Sequence, residues 1–217
     1  MEYVKICGLK NYKEIQVCKE YGADAVGFIY DVPRSPRNLG GTEINGLAEK
    51  IGNKILTVGV SKPSNMSELK SFIRNIDVNY YQIHSNFNET ELAEIPKNFK
   101  SRIILALKLN SSNVSKVIRS IKRFHGQFYA ILIDNSEGQG NKLDINLLKN
   151  VFNNTENAKL ILAGGINSNN VEKIILNLNP YGIDVSSALE SKRGIKDPSK
   201  IKHFLIKIKQ IKKNLRM

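Results

Sequence analysis

Short apolar runs punctuate the chain eight times, at residues 4–7, 25–29, 55–60, 80–84, 102–107, 129–134, 159–163 and 182–186. Each is rich in Val, Ile and Leu, and the apolar positions run on continuously rather than alternating with polar ones. Continuous runs of this length predict strands covered on both faces, the condition of a parallel sheet. Between them lie polar and amphipathic stretches with readable helix boundaries. Asn88 with Glu91, and Asn169 with Glu172, have the spacing of a capping box. Asp197 before Pro198 supplies a cap and a first helical residue. Gly22 stands where the first helix should end in a left-handed residue. Residues 147–152 leave room for a helix of only a turn or two. Ile201, Phe204, Leu205, Ile208 and Leu215 recur at helical spacing, so a last helix is expected over about 198–215, docked by that stripe.

Eight strand–helix alternations with no compositional break predict an α/β fold in one domain, residues 1–217: a closed (β/α)8 TIM barrel with eight parallel strands. An open doubly wound sheet is the alternative. The turn after the first run, Cys7-Gly8-Leu9-Lys10-Asn11, lacks the glycine-rich dinucleotide fingerprint that such a sheet often carries. A hydrophobic content of 41% and a charged content of 24% allow a sizeable core. No stretch of about 18 apolar residues is present to span a membrane. The opening MEYVKICGLK lacks the apolar run of a signal peptide, so a cytoplasmic protein that does not engage membranes is expected. Two cysteines, Cys7 and Cys18, are too few for a disulfide framework.

Charge complicates this picture. The net charge is +13, from 33 basic and 20 acidic residues, and residues 200–217 hold seven basic side chains and no acid. On a docked helix these are expected to form a solvated face. A field of that sign also attracts polyanions, so a non-catalytic nucleic-acid-binding protein stays as an alternative of another class.

Active sites of closed barrels lie at the C-terminal ends of the strands. The residues there are Cys7, Arg34 and Arg37, His84, Lys108, Asp134, Gly164-Gly165, and Asp184-Val185-Ser186-Ser187. Glycines admit a ligand close to the backbone, and amides opening a short helix hold phosphate, so runs seven and eight predict a phosphate site. Runs six and one flank that pair in a closed ring, and they end in Asp134 and Cys7. A carboxyl and a thiol on opposite sides of a sugar suit an isomerisation, which needs one group to remove a proton and another to donate one. Lys5 shares the strand face of Cys7 by alternation, and Lys5 or Arg37 is expected to lower the thiol pKa from about 8.5. Asp134 needs burial to raise it above the usual carboxylate value of about 3.9. His84 either touches substrate or is a satisfied barrel histidine. Asp184, on the same face as Ser186, is a candidate to orient the phosphate loop or a sugar hydroxyl. His125 and His203 read as surface residues, Cys18 reads as core, and no metal-ligand spacing occurs.

Taken in order, VKICG (4–8), GADAVGFIY (22–30), SPR (35–37), VGV (58–60), QIH (82–84), LID (132–134), EGQGNKLDI (137–145), LAGGINSNNV (162–171) and IDVSSALESKRGIKDPSKI (183–201) resemble the phosphoribosylanthranilate isomerase family over nearly the whole chain. The resemblance implies a cofactor-independent aldose–ketose isomerase. Its substrate would be a small phosphorylated molecule, N-(5-phosphoribosyl)anthranilate, carried through an Amadori rearrangement in tryptophan synthesis by a monomer or homodimer. It implies Cys7 as general base at ribose C2, Asp134 as general acid at the ring oxygen, and Arg37 as the holder of anthranilate. It also sets Gly138 and Gly140, Gly164 and Gly165, and the segment of Asp184, Ser186 and Ser187 near the phosphate. The chain departs from the family's GGTGKTFDW at EGQGNKLDI, and carries Ser85 and Ala188 where glycines are usual. Other phosphate-binding barrels, a ribulose-phosphate epimerase or an indole-glycerol-phosphate synthase, would need ligand or glutamate sets that these strand ends lack.

Overall fold

A computed structural model describes residues 1–135 and 144–215. The eight apolar runs become β1 (Tyr3–Cys7), β2 (Ala25–Tyr30), β3 (Leu56–Ser61), β4 (Tyr80–Ile83), β5 (Ile103–Lys108), β6 (Ala130–Asp134), β7 (Leu160–Ala163) and β8 (Gly182–Val185), each within one residue of its expected bounds. Every neighbouring pair is parallel, and β1 pairs with both β2 and β8, which closes the ring. Lys5 lies level with Ala25 on one side and with Asp184 on the other. A short strand, Asn38–Leu39, extends the sheet beside β2, and Glu190–Lys192 forms a small antiparallel ladder with Ile195–Lys196.

The helices are α1 (Tyr12–Glu20), α2 (Gly41–Ile51), α3 (Met66–Asn75), α4 (Glu89–Glu94), α5 (Lys97–Lys100), α6 (Val114–Phe124), α7 (Ile145–Asn153), α8 (Val171–Leu178) and α9 (Pro198–Asn214). Asn88 caps α4 in a full capping box, and Asp197 accepts from the backbone N–H groups of Ser199 and Lys200 at the start of α9. Gly22 follows α1 with φ of 81°. Two boundaries differ from expectation. α7 has nine residues, because Asp144 caps it at Asn146 and Leu147 and starts it earlier. Asn169 caps nothing: α8 begins at Val171, and Asn167 and Asn170 instead close the preceding loop on each other.

Alternation along the strands separates two apolar cores. Val4, Ile6, Val26 and Phe28 face the helices, while Ala25, Val58, Val60, Ala106 and Leu132 fill the barrel interior. α9 seals the helical layer with Ile201, Phe204, Leu205, Ile208 and Ile211 buried, each worth roughly 1.5–3 kcal/mol. Leu215, assigned to that stripe from its spacing, is 52% exposed, because α9 ends at Asn214 and Ile211 takes the inner position. No helix among the described residues is long and apolar enough to cross a membrane.

Candidate active site

The inward face of β1 carries Tyr3, Lys5 and Cys7. Cys7 is 6% exposed and packs in the interior with Val60, Ala106 and Ala163. Lys5 is wholly buried, and its Nζ donates to Asp184 Oδ2 at 2.8 Å. A buried ammonium requires such a partner, since desolvation alone would cost several kcal/mol. Gly27 of β2 makes room for both groups. A Cβ there would lie 2.9 Å from Cys7 Sγ and 3.1 Å from Lys5 Nζ. The expected lowering of the thiol pKa does not occur: burial pushes the Cys7 thiol up, Lys5 opposes this, and Asp184 adds to it. Arg37 cannot lower it either, because its charge is taken by a carboxylate that the sequence reading overlooked.

That carboxylate is Glu190. Arg37 donates to it through Nε at 2.5 Å and through Nη2 at 2.8 Å. Lys196 Nζ and the Gly194 N–H also donate to it, each at 2.9 Å. Burial works against the charge on Glu190, yet bonds from Arg37, Gly194 and Lys196 outweigh it and bring the pKa to about 2. Lys196 Nζ reaches on to Ser186 O at 2.9 Å, and Ser186 Oγ donates to Cys7 O at 3.0 Å. A continuous polar chain therefore braces the loop after β2, the hairpin after β8 and the end of β1. Gly8, with φ of 79°, turns the chain beneath Arg37, where any Cβ would collide with Arg37 Cδ. Glu190 and Lys196 flank a glycine turn in ESKRGIK, which is legible as a hairpin. Nothing in that spacing marks the two side chains as buried.

Gly164 and Gly165 hold φ values of 87° and 68°, a left-handed turn closed to most other residues. Asn170 Nδ2 donates to Gly165 O at 2.8 Å and fixes the turn against the start of α8. Ser187 is exposed and opens a single 3-10 turn, Ser187–Leu189, beside it. Gly138 and Gly140, expected near the phosphate, lie outside the described residues.

An open cavity of about 380 Å³ occupies the C-terminal mouth, with Ile29, Val60 and Ala106 on its apolar side and His84, Lys108 and Asp134 among its polar groups. Asp134 ends β6 with its side chain 23% exposed, and its Oδ2 lies 4.0 Å from His84 Nδ1. His84 Nε2 is 2.8 Å from Gln82 Nε2, so the ring meets the amide on one side and the carboxylate on the other. Burial lowers the His84 pKa, with Asp134 pulling it the other way, and the neutral ring prevails near pH 7. Cys18 lies buried on α1 with its thiol pushed up to about 12 by burial, and His125 and His203 are exposed. Among the described residues no group of three or more His, Cys, Asp or Glu side chains is arranged to hold a metal ion.

Fold and site together define a (β/α)8 barrel with titratable side chains gathered at the C-terminal ends of its strands, where enzymes of this architecture hold their active sites. The N-(5'-phosphoribosyl)anthranilate isomerase family model matches residues 4–207. The isomerase of that name from Sulfurihydrogenibium sp. is 34% identical over 209 residues, covering 93% of this chain and 96% of the relative. The one from Clostridium acetobutylicum is 31% identical, covering 98% and 100%. The crystal structure of phosphoribosyl anthranilate isomerase from Thermotoga maritima superposes with a TM-score of 0.82 at 26% identity, covering 97% of this chain and all of that one. A further isomerase structure, with a TM-score of 0.81 at 26% identity and the same coverage, holds reduced 1-(o-carboxyphenylamino)-1-deoxyribulose 5-phosphate. The chain belongs to the N-(5'-phosphoribosyl)anthranilate isomerase family and is an isomerase of tryptophan biosynthesis.

Proposed function

We propose that the chain, as one domain in the cytoplasm, converts N-(5'-phosphoribosyl)anthranilate to 1-(2-carboxyphenylamino)-1-deoxyribulose 5-phosphate without a cofactor. Asp134 protonates the furanose oxygen and the ring opens to an iminium. The Cys7 thiolate then takes the proton from ribose C2, and the enolamine formed rearranges to the ketose. The observation that carries this reading is that one patch of the barrel interior serves both groups: Cys7 belongs to the same buried apolar cluster as Val60 and Ala106, and those two residues line the mouth cavity together with Asp134. The Gly164-Gly165 turn and the segment of Asp184, Ser186 and Ser187, with Gly138 and Gly140, are proposed to surround the phosphate, whose charge favours backbone N–H donors. Asp184 contributes from beneath through Lys5, and Ser186 through its brace on the end of β1. Arg37, held flat by Glu190, presents its remaining edge to the anthranilate portion, and His84 supports Asp134.

The experiment is an assay of the purified protein with freshly prepared phosphoribosylanthranilate, following the loss of anthranilate-type fluorescence. Turnover by the parent and its loss in Cys7→Ser and Asp134→Asn is the expected result. Undiminished turnover in either variant would remove that residue from the mechanism, and no turnover by the parent would remove the reading.

A further inference from the structure

Beneath the proposed base lies a charge pair that the reaction scheme leaves unused. Lys5 Nζ is in contact with Asp184 Oδ2 and, through the space kept by Gly27, stands beside Cys7 Sγ. Asp184 Oδ1 is buried without a hydrogen-bond partner among the described residues, so Lys5 carries most of the burden of neutralising that carboxylate. The same ammonium therefore serves two anions-to-be, one fixed and one that exists only when the thiol loses its proton. We propose that Lys5 is a positioning residue of the isomerisation: it supplies the counter-charge for the Cys7 thiolate, and Asp184 limits how much of that charge the thiol receives.

The claim rests on Cys7 acting as the base, and the geometry around the thiol leaves few other candidates. Lys5 and Tyr3 approach from β1, Asp184 from β8, and Lys196 from the hairpin strand Ile195–Lys196. β2 presents only Gly27 there. Lys196 is bonded to Glu190 and Ser186, and His84, the residue after β4, senses Lys5 and Asp184. Among the described residues, only Lys5 is a cation with Asp184 as its side-chain acceptor and the thiol as its neighbour. Burial works to push the thiol up and Lys5 works against it, the direction that the contact predicts. The restraint has a use: a thiol kept protonated until substrate arrives resists oxidation and alkylation.

Alkylation of Cys7 by iodoacetamide, followed by mass spectrometry across pH in a Cys18→Ala parent, tests the proposal. Lys5→Met alone would strand a buried carboxylate, so Lys5→Met is paired with Asp184→Asn. Asp184→Asn by itself should move the alkylation midpoint at least one pH unit below the parent, and the double variant at least one unit above it. The acid limb of kcat/KM should move with the midpoint in each. A double variant that shares the parent's midpoint overturns the proposal, as do midpoints that move while the kcat/KM limb stays in place. Alkylation needs no turnover. Inactivity of the parent would thus count against the isomerase reading, and unmoved midpoints against Lys5.

Discussion

At the N-terminal end of the barrel, aromatic rings fill the interior: Tyr80 and Tyr129 stack with centroids 3.9 Å apart, and Tyr3 and Tyr181 stack at 6.2 Å. Lys159 sits over Tyr129 and Tyr181, 5.7 and 5.4 Å from their centroids. At the C-terminal end the same inward alternation presents Lys5, Cys7, Asp134 and Asp184, with Arg37, Glu190 and Lys196 bracing the loops above. β1 spans both regimes, running from Tyr3 to Cys7 in five residues. One end is built from groups that gain by leaving water. The other is built from groups that lose by it and persist only through mutual pairing. Changes at the first should therefore be read in stability, and changes at the second in rate.

The largest separation is expected for Asp134→Asn. Loss of a positioned acid lowers kcat by about 10²–10⁴-fold, while the melting temperature should stay within a few degrees because the side chain is partly exposed. A fall in stability that matches the fall in rate would erase the contrast. Tyr3→Ala should do the opposite. Tyr3 is fully buried, and deleting a ring from such a site costs about 3–5 kcal/mol. Chemical denaturation measures that cost, and kcat per folded molecule should remain near the parent's.

Those two ends were not equally legible from sequence. The strands were, because a barrel strand is apolar on both faces and its run survives any choice of register. Lys5 beside Cys7 was also legible, since two-residue alternation is local. What distance in sequence hid was the partner set. Arg37 and Glu190 are 153 residues apart, and Lys5 and Asp184 are 179 apart, so no spacing rule joins them. The direction of the thiol's shift failed for the same reason: a neighbouring lysine is visible locally, whereas burial and the carboxylate that competes for it are tertiary facts. Leu215 and Asn169 failed at helix ends, where one residue of displacement changes which side chain caps or packs.

Glu190→Gln lies between the two regimes, since Glu190 is buried like the core yet charged like the site. Its pKa of about 2 lies below the ordinary 4.5, so its contribution is fully present above about pH 4.5 and is lost as pH falls toward 2. At pH 7 the variant should be less stable by about 2 kcal/mol or more. Between pH 4.5 and 2 the gap between parent and variant in urea midpoint should shrink. A gap that is constant across that range would mean that shape, not charge, is what Glu190 provides.

The smallest effect sharpens the comparison most, because it changes a single atom at the boundary. Tyr3 Oη is buried without a hydrogen-bond partner among the described residues, and burial together with the nearby Asp184 charge keeps its proton firmly on. An unpartnered hydroxyl in an apolar interior is a cost that phenylalanine does not carry, so Tyr3→Phe should leave stability unchanged or raise it by up to about 1 kcal/mol. Rate should stay near the parent's, because the proposed proton transfers at Cys7 and Asp134 do not use this hydroxyl. Thermal melting decides the point: a loss beyond 1 kcal/mol would mean that the hydroxyl is bonded, through water, to the spare oxygen of Asp184. The polar region would then extend one layer deeper into the barrel than its charged residues alone define.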